Sequence, residues 1–274
     1  MKVTLGERTL RGRALDLRGE PVDPRWILDA INEAGSSVVS CPRPRRIHSF
    51  VGRIETGMHL SLRSALAAAA RSRGMASSFA ERIAALDRSI EEIEVEPIDL
   101  VPVRRRAAEA GADVAALRER VAHLRGRLDA EREAGGATER SRAALREAIT
   151  ALSEAETEEL AAQQALADAE RDARAVRDRR DRRLRLVDER DNLARRARTE
   201  LATKLYPQFR RALDSLPVAS SAGERPADYA GDQSSAALAA ARIAAIRAPL
   251  VLVDGPFATA VAARAALDAP VVLV

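Results

Sequence analysis

The feature that most constrains this chain is a regular spacing of apolar side chains in a stretch with few turn residues. Apolar residues recur there at intervals of three and four, which is the spacing of a coiled-coil seam. The residues of this series are Val114, Leu117, Val121, Leu124 and Leu128. Two adjacent glycines, Gly135 and Gly136, then interrupt the pattern before a second apolar series begins. The spacing therefore predicts two long helices separated by the glycine pair.

The second series matches the first if the chain reverses at the glycines. Facing residues of an antiparallel pair have position numbers with a constant sum, and here that sum is 273. The matched pairs are Leu128 with Leu145, Leu124 with Ile149, Val121 with Leu152, Ala107 with Leu166 and Leu86 with Val187, and Val114 with Leu160 comes within one. The sequence therefore predicts an antiparallel coiled-coil hairpin over residues 77–206 with its tip at Gly135-Gly136. Its ascending side is interrupted near Pro97 and Pro102.

The two ends of the chain have the patterns of mixed α/β structure. In residues 1–76 we expect strands at 2–5, 10–18, 36–41 and 47–51, a helix after Pro24 and a helix from His59 to Arg73. In residues 207–274 we expect a loop at 215–231, an alanine-rich helix from Ser234 and strands at 249–253 and 270–274. A hairpin would bring these ends together. The predicted fold class is therefore mainly α, with residues 1–76 and 207–274 forming the two halves of one small α/β head.

Composition narrows the class of protein further. The chain has one Trp, two Tyr and four Phe among 274 residues, and 31% of its residues are charged. This composition is typical of long helices and excludes a compact all-β protein. The single cysteine, Cys41, excludes an internal disulfide. No long uncharged apolar run occurs and the first residues lack the apolar region of a signal peptide, so we expect a cytoplasmic protein without membrane association.

A segment in the N-terminal part has the glycine spacing of a phosphate-binding loop. The full pattern is Gly-x4-Gly-Lys-Ser/Thr, placed after a strand and before a helix. Gly52 and Gly57 supply both glycines, but Met58 replaces the lysine and His59 the hydroxyl residue. Because the lysine neutralises the β- and γ-phosphates and the hydroxyl binds Mg²⁺, their loss removes the main reasons for ATP to bind. An ordinary strand-to-helix turn with a glycine at each end is the alternative.

Two segments near the C-terminus resemble further motifs of ABC-type ATPases. The five residues from Tyr229 to Gln233 are similar to the signature Leu/Tyr-Ser-Gly-Gly-Gln, with alanine for the serine and aspartate for the second glycine. Residues 249–257 look like a Walker B strand, with Asp254 and Gly255 where the family has Asp-Glu. The alternative is a plain βαβ unit in which Asp254-Gly255-Pro256 is only a turn.

With two ends joined by a coiled coil, these motifs resemble the SMC family of ABC-class ATPases, in which each terminus supplies half of one head. The relic nucleotide-site positions that the resemblance implies are Gly52, Gly57, Met58, His59, Gly231, Gln233, Asp254 and Gly255. Because the lysine, the hydroxyl and the catalytic glutamate are all missing, it implies a degenerate pseudo-ATPase with no enzymatic activity and no cofactor. We expect it to self-associate or to bind a protein partner in chromosome maintenance. The layout is also similar to that of uncharacterised coiled-coil proteins of halophilic archaea.

The stretch from Arg171 to Arg198 has 12 arginines against six acidic residues. Arginines repeated along a helix can follow a phosphate backbone without reading any base. The candidate nucleic-acid contacts are Arg179, Arg180, Arg182, Arg183, Arg185, Arg195, Arg196 and Arg198. In the predicted hairpin they fall near its base, so we expect any DNA contact there. The alternative is a solvated face whose arginines pair with acidic residues of the same helix or with Glu91, Glu92, Glu94 and Glu96.

Other chemistry is not indicated. Cys41, His48 and His59 lack the paired spacing of a metal site, so no metal is expected. Neither a Gly-x-Ser-x-Gly elbow nor a His-Glu-x-x-His pair occurs. The sequence therefore predicts a structural or interaction protein without a small-molecule substrate. Two other functions stay open: a nucleotide-dependent ATPase with an unusual phosphate loop, and a coiled-coil spacer with no role in nucleic-acid binding.

Overall fold

The computed structural model describes residues 1–274, and it is mainly helical with two small sheets, as the sequence predicts. The helices are α1 (Pro24–Asn32), α2 (His48–Val51), α3 (Leu62–Ser72), α4 (Ala80–Glu91), α5 (Val101–Glu133), α6 (Glu139–Asp214), α7 (Gln233–Ile243) and α8 (Ala260–Leu267). The strands are β1 (Lys2–Leu5), β2 (Arg8–Arg11), β3 (Ala14–Asp16), β4 (Val39–Ser40), β5 (Arg53–Ile54), β6 (Leu250–Leu252) and β7 (Val271–Leu273).

The chain divides into two compact units. Unit 1 comprises residues 1–86 and 189–274, so it contains both ends of the chain. Unit 2 comprises residues 87–188. The long helix α6 and the shorter α4 each contribute residues to both units.

A four-stranded parallel sheet lies at the centre of unit 1. Its strand order is β3-β7-β6-β5, so strands from the first quarter of the chain flank strands from the last. All residues of β6 and β7 are buried. Burial on both faces is typical of parallel sheets and explains why these strands are continuous apolar runs without alternation. A smaller antiparallel sheet of order β2-β1-β4 belongs to the same unit.

Alanine-rich helices and the end of α6 complete the core of unit 1. The buried faces of α3 and α7 consist mostly of alanine, which lets neighbouring helices approach closely. The end of α6 contributes larger side chains, and Leu205, Phe209 and Leu213 are almost completely buried. This burial explains why α6 continues through Pro207 to Asp214. The predicted end of this helix near residue 206 is therefore wrong, because a local helix breaker is outweighed by tertiary packing.

In unit 2, the buried positions of α5 follow the predicted spacing of three and four. Its most buried residues are Ala110, Val114, Val121 and Leu128. The less exposed face of α6 follows the same spacing, and its buried positions in this unit are Ser141, Ala148, Ala162, Ala173 and Val176. Two residues predicted on that face are on the outside instead: Ile149 is 42% exposed and Leu160 is 67% exposed. That part of the prediction is wrong because small side chains, mainly alanines, form the buried face of α6.

Ion pairs join α5 to α6 within unit 2. Arg104 pairs with Glu170, Arg106 with Glu158, and Arg118 with Glu156. Gly135 and Gly136 lie between the two helices, and Gly135 adopts a φ of +68° that favours glycine. The Gly136 N–H donates to the carbonyl oxygen of Glu131 at 3.0 Å, which satisfies one acceptor at the end of α5.

Candidate functional site

The segment that resembles a phosphate-binding loop does not have the predicted order of elements. Residues 47–51 were expected to form a strand, but His48–Val51 is the helix α2. The strand β5, Arg53–Ile54, lies between the two glycines of the predicted loop. Gly52 is therefore not in a loop that follows a strand, and its carbonyl oxygen accepts a hydrogen bond from the N–H of Val251 at 2.8 Å. This correction removes Gly52 from the set of phosphate-cradling positions.

Packing explains why a glycine occupies position 52. A Cβ there would lie 2.5 Å from both Nδ1 and the carbonyl oxygen of His48. His48 is itself buried, and its Nε2 donates to the carbonyl oxygen of Pro249 at 2.8 Å. Burial lowers the pKa of the His48 imidazole, and the hydrogen bond to Pro249 opposes this shift. His48 is therefore a packed side chain that links α2 to the segment before β6.

The residues after β5 form a turn that leads to α3. Gly57 has a φ of +77°, which favours glycine. Met58 is partly buried and packs against the main core of unit 1, while His59 is exposed. Neither side chain offers the cation or the hydroxyl that a phosphate loop uses.

The Walker B-like segment lies beside this turn. β5 and β6 are parallel neighbours, and the N–H of Val253 donates to the carbonyl oxygen of Ile54 at 2.9 Å. Asp254 follows β6 with a φ of +53°, and both Asp254 and Gly255 are exposed. The structure thus brings the Gly57 turn and Asp254 to the same edge of the sheet, where ligands of parallel α/β sheets usually bind. Met58, His59 and Gly255 occupy the positions that the sequence patterns give to the lysine, the hydroxyl residue and the catalytic glutamate.

The signature-like segment is a helix cap. Asp232 is the N-cap of α7, and its carboxylate accepts from the N–H of Ser235 at 2.9 Å. Hydrogen bonds from Ser234 and then from the Ser235 backbone lower the pKa of Asp232. A Cβ at Gly231 would lie 2.7 Å from the hydroxyl of Tyr229, so a larger residue there would displace this side chain. Gln233 opens α7, and no hydrogen bond joins it to Asp254 or to the Gly57 turn.

Five of the candidate arginines belong to unit 2, and we call them the arginine cluster: Arg179, Arg180, Arg182, Arg183 and Arg185. All five are exposed, and none forms an ion pair or a hydrogen bond with a carboxylate. The acidic residues that might have neutralised them from within α6 are not bound to them. The five arginines of the cluster therefore lie on a solvated face, and they are not in ion pairs with these acidic residues.

The other three candidate arginines belong to unit 1 and line a groove of about 800 Å³. We call it the arginine groove; its walls include Arg63, Phe79, Arg195, Arg196, Arg198 and Glu200. The guanidinium of Arg196 lies 4.6 Å from the centre of the Phe79 ring. Arg198 lies near the cationic Arg71, because burial and then the charges of Arg46 and Arg198 lower the pKa of Arg71.

One acidic residue lines this groove, and it is already bound. Glu200 accepts hydrogen bonds from Lys204 and Ser78, and these bonds lower its pKa. Arg63 was not singled out from the sequence, because one arginine before a run of alanines carries no motif. Only the approach of α6 to the start of α3 reveals it as part of the groove.

No group of three or more His, Cys, Asp or Glu side chains in the chain could hold a metal ion. Cys41 is partly buried, and burial raises the pKa of its thiol, so the reactive thiolate is disfavoured. No helix is long and apolar enough to cross a membrane.

The comparisons with known proteins identify one family. Residues 12–271 match the model of a family of unknown function, DUF7856. No curated protein and no solved structure matches the chain.

Proposed function

Because the chain belongs to DUF7856, a family of unknown function, we propose its function from its own geometry: a non-catalytic, SMC-like structural protein that binds nucleic-acid phosphates. The binding surface in this proposal is the arginine cluster of α6. We further propose that the protein acts in the cytoplasm as a pseudo-ATPase, with a protein partner or a second copy, in chromosome maintenance.

The observation that carries the proposal is the unequal neutralisation of charge along α6. In its acidic part, residues 154–170, four of the six carboxylates pair with arginines of α5 or of the next turn of α6: Glu156, Glu158, Asp168 and Glu170. The arginine cluster, which follows in sequence, has no such partners. An exposed set of unpaired guanidinium groups attracts a polyanion by charge and counterion release.

The proposal includes an antiparallel coiled-coil hairpin of α5 and α6. Three observations support it: the short glycine turn between the helices, the matching spacing of three and four on both buried faces, and the cross-helix ion pairs. From the pair Arg104–Glu170 to the pair Arg118–Glu156, the residue number rises on α5 and falls on α6. This order is the one that an antiparallel pair requires.

The non-catalytic part rests on the roles that the relic positions have in packing. Gly52 allows close contact with His48, Met58 packs against the core, and Asp232 caps α7. Gly52 and Met58 therefore have structural explanations that require no nucleotide, and the signature-like segment that contains Asp232 serves as a helix cap. Measurement of Mg²⁺-dependent ATP hydrolysis by the purified chain tests this part, and turnover above background that is lost on removal of Mg²⁺ would overturn it.

Binding to a fluorescent DNA duplex, measured by anisotropy over a salt series, tests the phosphate-binding part. The cluster spans about 9 Å along the helix axis. A DNA duplex carries about five phosphates over this length, counting both strands, and about two or three of them face the protein. Each neutralised phosphate contributes about −0.9 to the slope of log K against log salt. Arg179, Arg182 and Arg183 share one helical face by their spacing of three and four, so changing all three to glutamine should reduce the slope by about two to three.

The matched control changes three arginines that are already in ion pairs, Arg104, Arg106 and Arg118, to glutamine. It removes the same charge and should leave the slope unchanged. Circular dichroism checks that both variants fold, since exposed ion pairs contribute only about 0–1 kcal/mol each. Equal losses in the two variants, or no binding of the unmodified protein at low salt, would refute nucleic-acid binding by the cluster and leave a coiled-coil spacer.

A further inference from the structure

Unit 1 contains two adjoining cavities that the proposed function does not use. The arginine groove of about 800 Å³ and a second pocket of about 360 Å³ share Arg63, Thr199 and Pro226 in their walls. The two cavities therefore meet at the start of α3. A volume of 360 Å³ lies within the range of small-molecule sites.

The two cavities differ in chemistry. The groove presents four arginines, and its one carboxylate, Glu200, is bound by Lys204 and Ser78. The wall of the second pocket is mostly apolar and includes Ala202, Pro207 and Ala227. A ligand that spans both cavities would carry an anionic group at one end and an apolar body at the other.

The apolar pocket contains a buried polar group without a partner. Tyr206 lines it and is 2% exposed, and its hydroxyl has no hydrogen-bond partner in the protein. The ring itself is fixed by stacking on Phe209, with a centroid distance of 5.5 Å. A buried hydroxyl without a hydrogen bond is unfavourable, so a ligand group that enters the pocket far enough to accept from it gains one hydrogen bond to a neutral group.

Charge also orients the ligand. Glu224 and Arg225 both line the apolar pocket, but the guanidinium of Arg225 is already held by Asp228 in an ion pair. An anionic group is therefore disfavoured in this pocket and favoured in the groove. Arg63, which borders both cavities, forms no ion pair and can bind an anion at their junction.

We propose that these two cavities form one binding site for a phosphate monoester with a ring-sized body. The phosphoryl group binds among Arg63 and the arginines of the groove. The body occupies the apolar pocket, where a hydrogen-bond acceptor on the ring receives the hydroxyl of Tyr206. This site stands on side chains outside the arginine cluster, so it does not depend on the proposed nucleic-acid binding.

Isothermal titration of the full chain with three probes tests the site: inorganic phosphate, phenyl phosphate and 4-acetylphenyl phosphate. The two esters differ in one hydrogen-bond acceptor. We expect the acetyl ester to bind about three- to tenfold more tightly than phenyl phosphate, in the range of one hydrogen bond to a neutral group. Tyr206→Phe should abolish this difference and leave the affinity for inorganic phosphate unchanged. Arg63→Gln should weaken all three probes by about tenfold or more, as expected for a lost charge-assisted hydrogen bond.

Arg118→Gln, at an ion-paired residue of unit 2, is the matched control for charge and should not change any of these affinities. Tyr206→Phe removes only an unpartnered hydroxyl, so it should fold normally, and the fluorescence of Trp26 in unit 1 checks this. Equal affinity of the two esters for the unmodified protein, or equal effects of Arg63→Gln and Arg118→Gln, would overturn the site. DNA binding measured on the same variants separates the two proposals, because loss of the site should leave the salt slope unchanged.

Discussion

Replacing Gly52 by alanine tests whether this glycine serves packing or a phosphate loop. The added Cβ would lie 2.5 Å from the His48 carbonyl oxygen and 2.5 Å from its Nδ1. One of these atoms belongs to the backbone and the other to a buried ring, so neither can move aside freely. Relief requires α2 to shift, which strains the hydrogen bonds from Val251 to Gly52 and from His48 to Pro249.

The magnitude follows from these contacts. Overpacking of a buried position costs about 1–3 kcal/mol, and one strained hydrogen bond adds about 1 kcal/mol. Gly52 has a φ of −63°, which alanine adopts readily, so the lower entropy of the unfolded chain returns about 0.4–1 kcal/mol. The expected net loss of stability is about 1–3 kcal/mol. Urea unfolding followed by Trp26 fluorescence reports on unit 1 and measures this loss.

Gly126→Ala is the matched control for this substitution. Gly126 is exposed on α5, and a Cβ there has no neighbour within 4 Å. Alanine should stabilise that helix by about 0.5–1 kcal/mol, measured by circular dichroism. If Gly52→Ala leaves the urea midpoint of unit 1 unchanged, close approach to His48 is not the reason for the glycine, and the packing argument is refuted.

Two further predictions concern His48 and the buried faces of unit 2. The pKa of His48 is lowered in the folded state, so the unfolded chain takes up a proton first as the pH falls. Unit 1 should therefore be most stable above about pH 6.5, the ordinary pKa of histidine, and should lose stability below it. Urea midpoints from Trp26 fluorescence at several pH values measure this loss of stability. The control His59→Gln changes an exposed histidine and should leave the pH dependence intact. An unchanged midpoint between pH 7.5 and pH 5 would contradict the prediction. Leu128→Ala should cost about 2–5 kcal/mol because Leu128 is 5% exposed, while Leu160→Ala should stay within about 0.5 kcal/mol because Leu160 is 67% exposed. Thermal unfolding by circular dichroism compares the two, and equal losses would show that Leu160 belongs to the buried face.

The sequence predicts α5 better than α6 because of the size of the buried side chains. Val114, Val121 and Leu128 stand out among polar neighbours, so their spacing is visible without a structure. On α6 the buried face includes Ala148 and Ala162, and exposed alanines are common on the same helix. The larger Ile149 and Leu160 therefore fit the predicted spacing, although both are exposed. Alanine carries too little hydrophobic signal to reveal which face of a helix is buried.

Short elements were the second source of error. The strand β5 has two residues, and the helix α2 before it has four, so neither is long enough to show a period of 2 or 3.6. The apolar residues of 47–51 predict a strand at that position, and such a strand would place Gly52 at the start of the predicted phosphate-binding loop. The longer parallel strands β6 and β7, which are buried on both faces, lie where the sequence predicts them.

The candidate nucleic-acid surface could be found from the sequence, but its state of pairing could not. The arginine cluster lies among acidic residues of α6, and spacing alone allows them to pair. The structure separates the two cases because α5 places Arg104, Arg106 and Arg118 against the acidic part of α6. No arginine of the cluster receives a comparable carboxylate.

Backbone geometry explains why the cluster is left without acidic partners. The chain between α4 and α5, residues 92–100, is irregular, so its carboxylates do not recur at the spacing of three and four that would match a facing helix. Within the cluster, Arg179 has like-charged neighbours at both Arg182 and Arg183, and each such pair on a helix costs about 0.2–0.5 kcal/mol. Asp178 and Asp181 offset part of this repulsion, because they lie four residues before Arg182 and Arg185 on the same helix. An external polyanion would offset the remainder, so we expect salt to weaken the proposed DNA binding while it stabilises this part of α6 in the free protein.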